Sequence, residues 1–162
     1  MAARPPETKK ITLALQGGGS HGAFTWGVLE ALLADERLEI EGISGTSAGA
    51  MNATVMAEGL MQRGRQGALD SLERFWSAVS QAGRFAPMIR TPLDIAADRW
   101  NMEVQPGYLL FDMVSRFLSP YQFNPLNFNP LLDILEKEVD FDLVRACDQV
   151  QLFISATNVA TG

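Results

Sequence analysis

The sequence predicts an α/β fold built on a mostly parallel sheet, and three observations carry that prediction. Residues 11–16 form an apolar run typical of a buried parallel strand, and a glycine-rich loop follows it directly. A helical pattern over residues 23–34 then leads to a second apolar run that begins near Glu39. Strand, loop, helix and strand in this order make a βαβ unit, whose two strands run parallel.

The later elements follow the same logic. A stripe of small residues, Ala23, Gly27 and Ala31, is expected to let the first helix lie close against the sheet. A buried helix is predicted over residues 47–62 and a more polar one over residues 67–81. Asn129 and Pro130 are a good cap and first position for a helix that runs to residue 138. A further turn or two over residues 141–147 precedes a third buried strand over residues 150–156.

Composition sets limits on domain organisation and on partners. The 162 residues are 47% hydrophobic and 20% charged, as in an ordinary globular domain with a real core. The net charge of −6 argues against non-specific nucleic-acid binding, which requires a basic surface. A single cysteine excludes an internal disulfide bond, and no apolar run approaches the roughly 20 residues of a membrane span. We therefore expect a cytoplasmic protein, whose contact with a membrane, if any, is peripheral.

Two segments differ in composition from the rest of the chain. Residues 1–10 are rich in proline and charge, so they are predicted to be a disordered leader to a domain over residues 11–162. Residues 83–129 are crowded with proline and aromatic residues and are predicted to be an insertion or lid, with a short helix over residues 108–118. Packing on its own domain or on a partner subunit is the favoured role of this segment, and contact with an acyl chain or a membrane interface is the alternative.

The chemistry centres on Gly45-x-Ser47-x-Gly49, which follows the second strand. This spacing has the form of a nucleophile elbow, in which a tight strand-to-helix turn projects a serine out of the sheet. The glycines matter because the turn needs backbone angles that a Cβ would oppose, and because bulk beside the serine would block the substrate. A five-residue match of common residue types is weak evidence alone, so the surrounding sequence must decide whether this is a nucleophile elbow.

The glycine loop has two interpretations. Gly17-x-Gly19-x-x-Gly22 satisfies the dinucleotide-binding fingerprint, and Glu39 lies about 20 residues further on, as that fingerprint requires for the ribose. However, Glu39 stands at the start of the second strand, whereas the fingerprint's acid lies at the carboxyl end. The alternative is a hydrolase, because the loop and Ser47 follow neighbouring parallel strands, about 4.8 Å apart, at one sheet edge. The loop amides can then form an oxyanion hole, aided by the N-terminus of the helix after Ser47.

The paired motifs resemble those of the patatin-like phospholipases. The likeness rests on Gly17-Gly18-Gly19-x-x-Gly22 and Gly45-Thr46-Ser47-Ala48-Gly49, in this order and separation, and extends to Ile154-Ser155-Ala156-Thr157-Asn158. The resemblance implies a three-layer α/β/α sandwich that carries an acyl hydrolase with a Ser–Asp dyad. It also implies that Ser47 is the nucleophile and that the Gly17, Gly18 and Gly19 amides form the oxyanion hole. Supporting roles in the motifs fall to His21, Gly22, Gly45 and Gly49.

Two features depart from that family's pattern. The family's loop usually carries arginine or lysine where this chain has His21, so the charge at that position is weakened. A loop residue that orients backbone is a better interpretation of His21 than the base of a Ser–His pair. The family's aspartate lies in an Asp-Gly-Gly or Asp-Gly-Ala motif, and no aspartate here is followed by glycine. We therefore expect the N-terminal part of a larger hydrolase, completed by a C-terminal fragment or companion chain.

The predicted function is a serine acyl hydrolase that acts on a lipid ester without a cofactor or metal. Ser47 attacks the ester, the glycine amides hold the oxyanion, and an aspartate outside the chain serves as base. Three alternatives stay open at this point: a dinucleotide-binding module, a non-catalytic patatin-like subunit, and an acyltransferase that passes its acyl group to an alcohol.

Overall fold

The computed structural model describes residues 8–83 and 129–158. The chain divides into two compact units, one of residues 1–78 and 134–162 and one of residues 79–133. The predicted insertion over residues 83–129 lies outside the described residues except at its two ends. Of the predicted leader, residues 8–10 are described, and the first strand already begins at Lys9.

One parallel sheet forms the centre of the first unit. Its strands are β1 (Lys9–Leu15), β2 (Leu38–Thr46) and β3 (Gln151–Ser155), in the order β1-β2-β3. Both pairings are parallel, which confirms the α/β prediction. Among the described residues the sheet is open and has three strands, and each outer strand pairs on one side only.

Four α-helices accompany the sheet in the described part of the chain. They are α1 (Gly22–Ala34), α2 (Ala48–Gly83), α3 (Pro130–Glu138) and α4 (Phe141–Arg145). The caps follow the sequence, since Asn129 Oδ1 accepts a hydrogen bond from the Leu132 N–H and Asp140 Oδ1 accepts from the Asp142 N–H. No helix in the described ranges is both long enough and apolar enough to cross a bilayer.

Helix α2 is a hairpin of two arms. Its backbone leaves helical geometry at Arg63 and at Gly64, where φ is 61°, so residues 48–62 form a first arm and residues 65–83 a second arm. The arms approach closely, because a Cβ on either Gly59 or Gly67 would overlap the carbonyl oxygen of the other. The two helices predicted over residues 47–62 and 67–81 are therefore the arms of this hairpin.

Helices α1 and α2 cover one face of the sheet. Along β2, Ile43 and Gly45 are buried whereas Ser44 and Thr46 are exposed. Crossovers between parallel strands are almost always right-handed, and two such crossovers in the same direction along the sheet place α1 and α2 on the same side. Ser44 is in register with Ala14 and Phe153, and all three are exposed, Phe153 by 60%. The described residues thus give two layers and leave a bare sheet face.

Two predictions about packing are wrong. Strand β3 was expected to be buried, but its side chains are mostly exposed because it lies at the sheet edge. The stripe of Ala23, Gly27 and Ala31 was expected to contact the sheet, but all three residues are exposed and α1 buries Leu29 and Leu33 instead. The helix is apolar on nearly every side, and burying the leucines removes more apolar surface from water than burying small residues does.

Candidate functional site

Ser47 lies in the turn that joins β2 to α2. The strand ends at Thr46 and the helix begins at Ala48, so the reversal occupies the single residue between them. Its φ of 50° is the only positive value at a non-glycine residue in residues 8–83 and 129–158. This left-handed conformation is unfavourable for a residue with a Cβ and persists where the surroundings impose it, often at functional sites. The serine side chain is exposed.

The glycines on either side of Ser47 allow this turn to be tight. A Cβ on Gly45 would lie 2.8 Å from the Gly49 carbonyl carbon, so the strand end and the first helical turn are in direct backbone contact. A Cβ on Gly49 would overlap the Leu15 carbonyl oxygen at the end of β1. The helix therefore begins against the neighbouring strand, and no larger residue fits at either position.

The glycine loop lies against the serine turn. A Cβ on Gly17 would be 3.0 Å from Ser47 Cβ and 3.2 Å from the Thr46 carbonyl oxygen. Gly18 and Gly19 both have positive φ, 155° and 56°, and the space beside Gly19 is open. The structure thus brings the two sequence motifs together at the carboxyl edge of β1 and β2.

His21 is tied back to the same loop. Residues Gly19–His21 form a short 3-10 helix, in which the His21 N–H donates to the Gly18 carbonyl oxygen at 3.1 Å. His21 Nδ1 lies 3.0 Å from that same oxygen and donates to it when it carries the proton. One residue therefore makes two contacts with one carbonyl, which fixes the backbone of the loop.

Two buried residues behind the loop escaped the sequence prediction as part of the site. Asn52 is fully buried, donates from Nδ2 to the Gly22 carbonyl oxygen at 3.0 Å, and accepts from Trp76 Nε1 at 2.8 Å. The signal was present, since Asn52 is an amide in a helical stretch that otherwise reads as small and apolar. A single sequence does not identify its partners, because Trp76 lies 24 positions away on the second arm of α2.

The acidic groups in the described ranges make no hydrogen bond to the Ser47 side chain. Asp35 pairs with Arg37 at the end of α1, and Asp70 pairs with Arg63 at the kink of α2. The remaining described aspartates, none of which hydrogen-bonds to Ser47, are Asp133, Asp140, Asp142 and Asp148. No carboxylate in the described part of the chain is therefore hydrogen-bonded to the Ser47 hydroxyl.

Glu39, the candidate ribose ligand of the dinucleotide interpretation, lies at the amino end of β2. Its carboxylate is 3.9 Å from Lys10 Nζ, which also contacts Glu41 at 2.5 Å. The hydrogen bond to Glu41, reinforced by both carboxylates, raises the pKa of Lys10. These charges occupy the sheet edge opposite the glycine loop. Within the described ranges, no group of three or more His, Cys, Asp and Glu side chains is placed to hold a metal ion.

An open cavity of about 360 Å³ lies beside the glycine loop. Gly17 and His21 form its loop side, and Phe24 and Val28 of α1 line it with apolar surface. Phe24 is 78% exposed, although it is a large aromatic residue. The cavity therefore offers a hydrophobic surface next to the loop.

Comparison with known proteins gives one family. The family model for patatin-like phospholipases matches residues 13–158, which include both motifs, the last three residues of β1 and the whole of β2 and β3. No curated protein and no solved structure matches the chain significantly.

Proposed function

Because the chain belongs to the patatin-like phospholipase family, we propose that it is a serine acyl hydrolase that cleaves a lipid ester with Ser47 as its nucleophile. The observation that carries the proposal is the strained turn at Ser47, with φ of 50°, in contact with the backbone of the glycine loop. Strain of this kind is retained where a function requires it. Membership of the family supports lipid acyl hydrolysis in general, and the assignment of roles to residues is our own.

In the proposed reaction, the Ser47 hydroxyl oxygen attacks the ester carbonyl carbon and its proton passes to a base. The carbonyl oxygen becomes an oxyanion, which the Gly17, Gly18 and Gly19 amides and the N-terminus of α2 stabilise. The tetrahedral intermediate expels the alcohol, which takes up the proton, and leaves an acyl-enzyme. Water then attacks this ester, releases the carboxylic acid and restores the Ser47 hydroxyl.

We assign the base to an aspartate outside residues 1–162, in a Ser–Asp dyad. Two observations support this assignment: no described carboxylate hydrogen-bonds to Ser47, and no aspartate of the sequence precedes a glycine as it does in the family's motif. On this proposal, a C-terminal segment or companion chain supplies both the aspartate and further strands. An apolar cavity beside Gly17 and His21 suits the acyl chain of a lipid. The cytoplasmic location and peripheral membrane contact stay predictions from the sequence.

A fluorophosphonate probe tests the nucleophile, because it forms a covalent bond only with an activated serine. The protein should be isolated with any chain that co-purifies and compared with Ser47→Ala. We expect labelling of the wild type and its complete loss in the variant, with ester hydrolysis reduced by at least about 10³-fold.

Ser44→Ala is the matched control, since Ser44 is also exposed but lies on the bare face of β2, three residues before Ser47. Its labelling should equal that of the wild type. Labelling that survives Ser47→Ala, or an unlabelled wild type in the presence of its co-purifying chains, would end the proposal.

A further inference from the structure

We propose that Asn52 and Trp76 are positioning residues that hold the glycine loop in the shape its amides need to bind an oxyanion. The role they serve rests on the proposed hydrolase function, whereas their effect on the loop can be measured without activity. Neither residue belongs to the two sequence motifs, and both lie on α2 behind the loop.

The first step of the argument is a chain of two buried hydrogen bonds. Trp76 Nε1 donates to Asn52 Oδ1 at 2.8 Å, and Asn52 Nδ2 donates to the Gly22 carbonyl oxygen at 3.0 Å. Asn52 is fully buried and Trp76 is 8% exposed. Buried hydrogen bonds of this kind are costly to break, because the groups left without a partner have no water to replace it. The second arm of α2 is thereby linked through the first arm to the end of the loop.

The second step is steric. A Cβ on Gly22 would lie 2.7 Å from two ring atoms of Trp76 and 2.8 Å from the Cβ of Ala48. Gly22 is therefore enclosed between the indole ring and the residue that directly follows Ser47. At the other end of the loop, Gly17 contacts Ser47 itself. The six residues from Gly17 to Gly22 are thus fixed at both ends relative to the serine turn.

The third step concerns the choice of asparagine. The position needs an acceptor for the indole N–H and a donor for the Gly22 carbonyl, and only a side-chain amide provides both in this shape. Aspartate would keep the acceptor but turn a carboxylate oxygen towards the Gly22 carbonyl oxygen. Leucine would lose both hydrogen bonds. The residue is therefore matched to the loop as well as to the tryptophan.

A second buried polar pair in the same hairpin provides a control. Ser71 Oγ donates to Glu58 Oε2 at 2.9 Å, and both residues are 1% exposed. Neither of them hydrogen-bonds to the glycine loop, since Ser71 otherwise accepts from Arg74 and Glu58 accepts from Gln62. Loss of the Ser71 hydroxyl should weaken the hairpin without moving the loop.

The test measures hydrogen exchange of the loop amides in the full chain, by NMR or by mass spectrometry. The N–H groups of His21 and Gly22 are hydrogen-bonded within the loop, so their exchange reports its opening. For Trp76→Phe, which keeps the ring but removes the donor, we expect exchange about 10-fold faster than in the wild type. Asn52→Asp should have an equal or larger effect, and Ser71→Ala should leave the loop amides within about twofold of the wild type.

Kinetics provide the second readout. In Trp76→Phe, the rate of fluorophosphonate labelling of Ser47 and kcat for a soluble ester should both fall about 10-fold, with KM within about twofold. The reason is that displaced amide donors in the glycine loop bind the oxyanion of the transition state less well. Ser71→Ala should leave both rates unchanged per folded molecule. Unchanged loop exchange in both Trp76→Phe and Asn52→Asp, or an equal acceleration in Ser71→Ala, would overturn the positioning role. Faster loop exchange together with an unlabelled wild type would support that role and refute the hydrolase proposal instead.

Discussion

The carboxyl and amino ends of the strands, which form two opposite edges of the sheet, are held by different kinds of contact. At the carboxyl edge, the Ser47 turn and the glycine loop are held by backbone contacts, and a Cβ on Gly49 would overlap the carbonyl oxygen of Leu15. At the amino edge, charged side chains add contacts to the backbone hydrogen bonds, such as that from the Lys9 N–H to the Arg37 carbonyl oxygen. Arg65 donates to the carbonyl oxygens of Leu33 and Asp35 at 2.9 and 3.1 Å and also to that of Leu38. One edge thus depends on the absence of side chains and the other on their presence.

The two edges are therefore ordered by different interactions: close packing of backbone atoms at the carboxyl edge, and hydrogen bonds of charged side chains at the amino edge. A backbone contact leaves no room for adjustment, since atoms of the main chain on both sides are already close-packed. Exposed charged side chains can rearrange and exchange partners with water, so each contributes little alone, whereas the half-buried Arg65 contributes more through its three hydrogen bonds. We therefore expect the proposed reactive edge to be intolerant of small changes and the opposite edge to tolerate larger ones.

The largest effect is expected for Gly49→Ala. The added methyl group would overlap backbone at the end of β1, so either the strand or the helix must move, at a cost of about 3 kcal/mol or more in free energy of unfolding. Urea denaturation measures this change. Gly27→Ala is the control, because a Cβ on Gly27 meets nothing within 4 Å, and should stabilise α1 by about 0.5–1 kcal/mol. Equal effects of the two substitutions would contradict the close packing at the carboxyl edge.

An intermediate effect is expected for Arg65→Met at the amino edge. The variant removes donors from three carbonyl groups and should lower the free energy of unfolding by about 2 kcal/mol. Fluorophosphonate labelling of Ser47 per folded molecule should stay within about twofold of the wild type, since the substitution lies at the other end of the sheet. Arg63→Met, which loses only a surface ion pair with Asp70, should cost less than about 1 kcal/mol. A loss of labelling in Arg65→Met would show that the two edges are coupled.

The smallest expected effect is the change in stability with pH that comes from Asp35 and Arg37. Hydrogen bonds from the Arg37 side chain and backbone lower the pKa of Asp35 to about 2. Because the folded-state pKa lies below the unfolded value, the pair stabilises the fold above about pH 4, and this contribution is lost as the pH falls towards 2. The effect on stability is small because both side chains are at the surface. An NMR titration of Asp35 should show its pKa rising towards the ordinary range in Arg37→Gln and unchanged in Lys10→Gln.

Elements defined by local pattern were predicted well from the sequence. The parallel sheet, the serine turn, the cap at Asn129 and both helical arms follow from residue periodicity and from glycine placement. Packing partners were not predicted, because they depend on which surfaces meet. The exposure of Ala23, Gly27 and Ala31 is one case. A stripe of small residues indicates a surface that another element can approach closely, but it does not identify that element.

The hydrogen bond between Asn52 and Trp76 is a second case of the same kind. It needs the reversal at Gly64 and the close contact of Gly59 with Gly67, neither of which is encoded at residue 52 or residue 76. The sequence shows an amide in one helix and a tryptophan in another. Only the tertiary structure joins them to the glycine loop.

The hairpin of α2 has a consequence for insertions and deletions. Gly67 fixes how the second arm lies on the first, and Trp76 is nine residues further along the same helix. One residue inserted between them would turn everything after it by about 100° around the helix axis and advance it by about 1.5 Å. Trp76 would then leave Asn52 although no side chain in the site had been replaced. The number of residues between Gly67, where the two arms cross, and Trp76 therefore helps to determine the shape of the glycine loop.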